Sequence, residues 1–73
     1  MIRITGQVAE YHLYSFTADT LADLAKLPTL KSPGKDNLNT IKSAGQGSDC
    51  LVLETSDLYM LSGKTEEGVW VVL

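Results

Sequence analysis

The chain has only one cysteine, Cys50, and one histidine, His12, among its 73 residues. A single cysteine excludes a disulfide within the chain, and one cysteine with one histidine does not make the ligand set of a zinc site. A core of this size supplies only about 3–5 kcal/mol of net stability, so small domains commonly add disulfides, metals or partner chains. Because the first two are lacking, the sequence predicts that association with another chain contributes to stability.

Long apolar runs are also lacking, and none approaches the ~20 residues that a membrane-spanning helix needs. The first residues, Met1-Ile-Arg-Ile-Thr-Gly6, do not have the basic region and apolar stretch of a secretory signal. The sequence therefore predicts a protein that is made in a cytosol and is either kept there or carried out as part of a particle. It does not predict a membrane partner.

Basic residues are too few for a nucleic-acid binder, since six of them face nine acidic residues for a formal net charge of −3. The charges are unevenly spread: four lysines and one aspartate lie at positions 26–42, whereas five acidic residues and one lysine lie at positions 49–67. This polarity favours a contact in which the middle of one copy meets the acidic end of the next. The alternative is a solvated surface with an uneven charge distribution.

Motifs for catalysis or ligand binding are lacking as well. Ser62-Gly-Lys-Thr65 is similar to the end of a phosphate-binding loop, but the first glycine position of that motif holds Leu58 and no helix is predicted to follow. Cys50 with His12 is the only classical pair of nucleophile and base that the chain offers, and their spacing does not bring them together. The sequence therefore predicts a protein that is not an enzyme and has no cofactor, metal ion or small-molecule substrate.

The N-terminal region, residues 1–16, has strand character. Ile2, Ile4 and Val8 alternate with polar residues, and the aromatic-rich stretch that follows either continues this strand after a bend or forms a second one. Tyr11 and Tyr14 lie in that stretch. Each has a large apolar ring with a hydroxyl at its tip, so each suits either the edge of a core or the rim of an interface.

The middle of the chain predicts one helix and one long loop. Helix-start residues precede Leu21, Leu24 and Leu27, whose spacing predicts a short α-helix over residues 18–27 that docks its leucines on one face of a sheet. Residues 28–49 have turn chemistry. They predict either a partner-binding arm, in which lysines steer the contact, or an ordered loop packed on its own domain.

The C-terminal residues 50–73 predict three strands, Cys50–Glu54, Leu58–Leu61 and Val69–Leu73, separated by polar turns. Apolar side chains occupy both odd and even positions, so both faces of this meander need cover. The predicted fold class is α+β: a small antiparallel β-meander with an N-terminal strand region and one short α-helix. One helix covers one face, so the second face is expected to contact another protein.

The sequence of residues 47–62 and 68–73 resembles the C-terminal part of small virion structural proteins of tailed bacteriophages, of the head-decoration and head-fibre type. The resemblance covers about a third of the chain, with Tyr59 and Trp70 at the matching aromatic positions. It implies a virion component, made in the host cytoplasm, that forms a homo-oligomer or docks on a capsid or tail protein.

A second hypothesis is a small soluble regulator or inhibitor from a mobile element that binds one host protein. Tyr59 and Trp70 suit either an intrachain aromatic core or an interface. The residues predicted to contact a partner are Tyr11, Tyr14, Lys31, Lys35, Tyr59 and Trp70.

Overall fold

A mixed sheet dominates the computed structural model, which describes residues 1–73 apart from the side chain of Ala9. In the described residues, five strands lie side by side in chain order. All neighbouring pairs are antiparallel except the second and third strands, which are parallel. The strand bounds are β1 Ile2–Val8, β2 Leu13–Ala18, β3 Asp49–Val52, β4 Asp57–Ser62 and β5 Val69–Val72.

The predicted C-terminal meander is present as β3, β4 and β5, and the N-terminal region contributes two strands to the same sheet. The α+β prediction is therefore confirmed only in part, because the chain is mostly β and its helical segments are short 3₁₀ helices. These helices are Ala9–Tyr11, Leu21–Lys26 and Asp36–Leu38.

The predicted α-helix over residues 18–27 is wrong, because Leu21–Lys26 form a 3₁₀ helix and Ala18 belongs to β2. The spacing of the leucines explains the difference. Leu21, Leu24 and Leu27 recur at intervals of three, which places them in one line on a helix with three residues per turn. Leu27 is buried and Leu24 is half-buried, so the leucine stripe does dock, at its C-terminal end.

Residues 19–48 connect β2 to β3, and we call this segment the crossover. A parallel pair requires such a connection, because the chain must return to the same end of the sheet before the second strand begins. The backbone N–H of Ala44 donates to the Thr29 carbonyl at 2.9 Å, and both Leu38 and Ile41 are buried. Of the two alternatives for the predicted loop, the structure has the ordered loop packed on its own sheet.

The hydrophobic core lies between the crossover and one face of the sheet, which we call the covered face. Register places side chains from neighbouring strands side by side on this face, as in the row Phe16, Cys50 and Tyr59. Alternate strand positions therefore point into the core. The buried cluster consists of Ile2, Phe16, Ala18, Leu27, Leu38, Ile41, Cys50 and Val52.

Within the described chain, none of the helices has the length and apolar character needed to cross a membrane.

Candidate interaction surface

The face of the sheet opposite the core is not covered by the crossover, and we call it the open face. Its part on β3, β4 and β5 is mostly apolar, whereas its part on β1 and β2 carries Arg3, Ser15 and Thr17. Its side chains alternate with buried ones: Leu51 lies between Cys50 and Val52, both of which are 0% exposed, yet Leu51 itself is 39% exposed. Leu58 is 40% exposed. The residues that form the open face on the C-terminal strands are Leu51, Leu58, Met60, Val69, Val71 and Leu73.

Strand register groups these side chains into rows across the sheet. Leu51 is paired with Leu58, and the backbone N–H of Leu73 donates to the Leu58 carbonyl at 2.9 Å, which extends this row to the edge of the sheet. Met60 is paired with Val71 in the next row. Because directly opposite side chains on one face contact each other, the rows make a continuous apolar patch rather than scattered exposed residues.

Asp49 is the charged residue within the β3–β5 part of the open face. It is half-buried, and its register partners are Ser15 on β2 and Met60 on β4. A carboxylate that loses water needs a cation or hydrogen-bond donors opposite it. A partner that covers this face therefore needs a basic or donor group facing Asp49 and apolar groups around it.

Two of the residues predicted to bind a partner, Tyr59 and Trp70, instead lie on the covered face and pack against the core. The indole Nε1 of Trp70 donates to the Pro28 carbonyl at 3.0 Å, and its ring meets Phe16 edge-on with centroids 6.2 Å apart. These contacts tie β5 to the crossover. The structure thus gives Trp70 a role within the chain, and the same face holds half-buried Tyr59.

The two N-terminal tyrosines have different surroundings. Tyr14 is half-buried, its ring stacks on Phe16 with centroids 5.7 Å apart, and its backbone N–H donates to the Ser48 hydroxyl at 3.1 Å. Tyr11 is 64% exposed in the turn between β1 and β2. Tyr14 therefore belongs to the core, and Tyr11 has the exposure that an interface rim needs.

The predicted basic arm is engaged with its own chain. The ammonium of Lys31 forms an ion pair with Glu66, and the Ser32 hydroxyl donates to the Glu67 carboxylate. The bond from Ser32 is the largest cause of the lowered pKa of Glu67. The basic middle and the acidic end thus meet within one molecule through Lys31 and Glu66. Among the described residues, the exposed Lys35 and Lys42 are the arm lysines without an ion pair.

A charge cluster holds the start of β1 against the crossover. The N-terminal ammonium of Met1 lies 3.0 Å from Asp23, whose carboxylate also accepts the Thr20 backbone N–H at 3.1 Å. The ammonium and then the Thr20 N–H lower the pKa of Asp23 to about 2. Arg3 donates to Asp19 at 2.8 Å. The cluster is explained by its role in joining β1 to the crossover.

Cys50 lies in the core, where burial is the main cause that raises the pKa of its thiol to about 11. A thiol with so high a pKa is scarcely ionised at neutral pH and is a poor nucleophile. His12 lies in the exposed turn between β1 and β2 with φ 56°. The two residues that could have formed a nucleophile and base pair thus serve the core and a turn.

Among the side chains described, the structure has no cavity and no group of three or more His, Cys, Asp or Glu residues suited to a metal ion. No family model, curated protein or solved structure matches the chain. The strongest candidate for a functional site is therefore the open face.

Sequence reasoning favoured Tyr59 and Trp70 as partner contacts on the last two strands and missed the open-face residues there, which are Leu58, Met60, Val69, Val71 and Leu73. The signal that finds them is parity: in each strand they occupy the positions that alternate with the aromatic ones. That signal becomes usable only when one position per strand is known to be buried.

Proposed function

We propose that this chain is a non-enzymatic structural protein of a phage particle, which works by burying its open face against a capsid or tail subunit. The observation that carries the proposal is the continuous apolar patch on that face. The largest contiguous apolar patch on a soluble monomer is often a functional contact surface. The C-terminal resemblance to head-decoration and head-fibre proteins supports the choice of a particle as the place where the partner lies.

The size of the open face fits a repetitive surface. Five strands spaced about 4.8 Å apart and about 17 Å long give a planar area of roughly 400 Å². A stable interface usually buries about 800 Å² per partner, so one copy holding one face makes a weak contact. An oligomer that presents several such faces to a regular shell makes several contacts at once, which raises the overall affinity without any larger single contact.

The experiment compares two leucine-to-glutamate variants at matched exposure. Leu58 on the open face is 40% exposed, and Leu21 on the crossover is 43% exposed. Each variant adds one carboxylate at a site that is already wet, so L58E and L21E are both expected to fold like the wild type, as judged by circular dichroism. We expect wild type and L21E to bind particles that lack the chain, and L58E to bind at least about tenfold more weakly, because burying the new charge costs more than about 1.4 kcal/mol.

Mass spectrometry of purified particles provides the first test, since the proposal requires the chain at a copy number comparable to that of a structural subunit. Its absence from particles would refute the virion role. Recovery of a single host protein by wild type and not by L58E would then favour the regulator. If L58E binds particles as tightly as L21E does, the open face is not the docking surface.

A further inference from the structure

The two edges of the sheet differ in how they are protected. The β1 edge carries the charged Arg3 and a register shift between Ile4 and Gly6. Charges and bulges are the devices by which edge strands avoid pairing with other chains. The β5 edge, Val69–Val72, has neither a charge, a proline nor a bulge in its pairing with β4. It is an edge that is open to another strand.

The hydrogen-bonding groups at the β5 edge follow from the ladder. Leu73 donates its N–H to the Leu58 carbonyl, so the backbone N–H and C=O of Leu73 point towards β4. Along an antiparallel strand, the backbone N–H and C=O groups of successive residues point alternately to one neighbouring strand and to the other. The backbone groups of Val71 and Val69 therefore also point towards β4. The N–H and C=O groups of Trp70 and Val72 point outward from the edge of the sheet.

Charges beside the edge do not oppose pairing. The turn between β4 and β5 contains Glu66 and Glu67, the acidic residues nearest to β5 in sequence. Glu66 forms an ion pair with Lys31, and Glu67 accepts hydrogen bonds from Thr29 and Ser32. Because both carboxylates are held against their own crossover, a second copy that approaches β5 meets an apolar strand with free backbone groups.

We infer that β5 pairs with β5 of a second copy, antiparallel about a two-fold axis at Val71, so that two sheets become one sheet of ten strands. In this register Trp70 exchanges both backbone hydrogen bonds with Val72 of the second copy, and the symmetric pair doubles this to about four bonds. This is the register in which all outward groups of the strand find partners within β5. The inference deepens the proposed function and rests on it for the role of the dimer.

The side chains agree with this register. On the open face, Val71 lies opposite Val71 of the second copy, and Val69 lies opposite Leu73. On the other face, Val72, which is 54% exposed, gains the indole of Trp70 from the second copy as a neighbour. Joining the two sheets also doubles the open face to roughly 800 Å², which is the area that one side of a standard interface buries.

Disulfide capture tests the register directly. In V71C the two introduced thiols face each other across the axis at a Cα separation of about 4.5–5.5 Å, within the range that a disulfide spans. In the matched control V69C, the two thiols are four residues out of register, which places them about 14 Å apart. Oxidised glutathione is the oxidant: two protein thiols and one molecule of oxidised glutathione give one protein disulfide and two molecules of reduced glutathione.

We expect V71C to form covalent dimers at least about tenfold faster than V69C at the same protein concentration, since only its thiols lie within disulfide reach. Cys50 contributes no background, because its thiol is buried. Equal rates for V71C and V69C would overturn the proposed register, and no covalent dimer of V71C at high micromolar concentration would overturn the pairing.

A second pair of variants distinguishes backbone pairing from nonspecific association of apolar surfaces. The N–H of Val72 points away from β4, so proline at this position removes an intermolecular donor and no bond to β4. We expect V71C/V72P to lose cross-linking and V71C/V72T, which keeps the N–H, to retain it. Retained cross-linking in V71C/V72P would contradict the proposed ladder. If V72P impairs folding, the comparison of V71C with V69C still decides.

The two proposals fail separately. If particle binding depends on Leu58 but V71C does not cross-link, the proposed function is supported and the dimer is refuted. If V71C cross-links but the chain is absent from particles, the dimer is supported and the virion role is refuted.

Discussion

Replacing Trp70 with phenylalanine tests whether β5 is tied to the crossover as the structure indicates. The change removes the indole N–H that donates to the Pro28 carbonyl at 3.0 Å. Pro28 is less than 2% exposed, so water does not replace the lost donor. An unsatisfied buried acceptor costs about 1–3 kcal/mol, and the smaller ring also packs less fully against Phe16.

The expected loss is about 2 kcal/mol, which is a large share of the roughly 3–5 kcal/mol that a domain of this size has. For a chain of this length it corresponds to a fall in melting temperature of roughly 8–16 °C. Urea unfolding followed by far-ultraviolet circular dichroism measures it, because W70F removes the one tryptophan that fluorescence would report.

Tyr59 provides the matched control. It lies on the same face and is half-buried, and among the described side chains its hydroxyl has no hydrogen-bond partner. Y59F is therefore expected to change the free energy of unfolding by less than about 0.5 kcal/mol. If W70F is as stable as Y59F, Trp70 does not hold β5 to the crossover, and the partner interface that the sequence predicts for Trp70 is the better explanation.

Two further predictions concern the turn before β5 and the charge cluster at β1. Gly68 has φ +93°, and a Cβ there would lie 2.7 Å from Leu30 Cγ, whereas a Cβ at Gly6 would lie 3.5 Å from its nearest neighbour. We expect G68A to lower the free energy of unfolding by about 1–3 kcal/mol in urea titrations and G6A to cost clearly less; equal costs would contradict the close approach of Leu30. Because the folded pKa of Asp23 is about 2 against an ordinary 3.8, its stabilisation is complete above pH 3.8 and is lost as pH falls towards 2. D23N should therefore unfold at lower urea than the wild type at pH 6, with the gap closing by pH 2; a gap that does not change with pH would refute the ion pair.

Several elements were predictable because their signals are local. The turns between the C-terminal strands are marked by Asp, Ser and Gly, and the β4–β5 turn ends at Gly68 with a positive φ that glycine adopts without strain. The signal that ends the leucine segment is local as well, because Pro28 restricts the backbone of the residue before it. These features need only a few neighbouring residues.

The helix type was not predictable in the same way. Leu21, Leu24 and Leu27 fit both a 3.6-residue and a three-residue period over so short a segment. In the folded chain the segment is a 3₁₀ helix, and the Asp23 carboxylate at its start is held by Met1 and by the Thr20 backbone N–H. The contact with Met1 spans more than twenty residues of sequence, so a local pattern does not reveal it.

By itself, the sequence determined that the C-terminal strands have apolar side chains on both faces, since alternation along a strand is a property of the backbone. Only the tertiary structure decided which face is the core and which is open. That choice depends on the side of the sheet along which the crossover passes, and for a parallel strand pair this side follows from the handedness of the connection rather than from any local pattern. Trp70 therefore lies inside and Leu58 outside, although both are apolar residues in neighbouring strands.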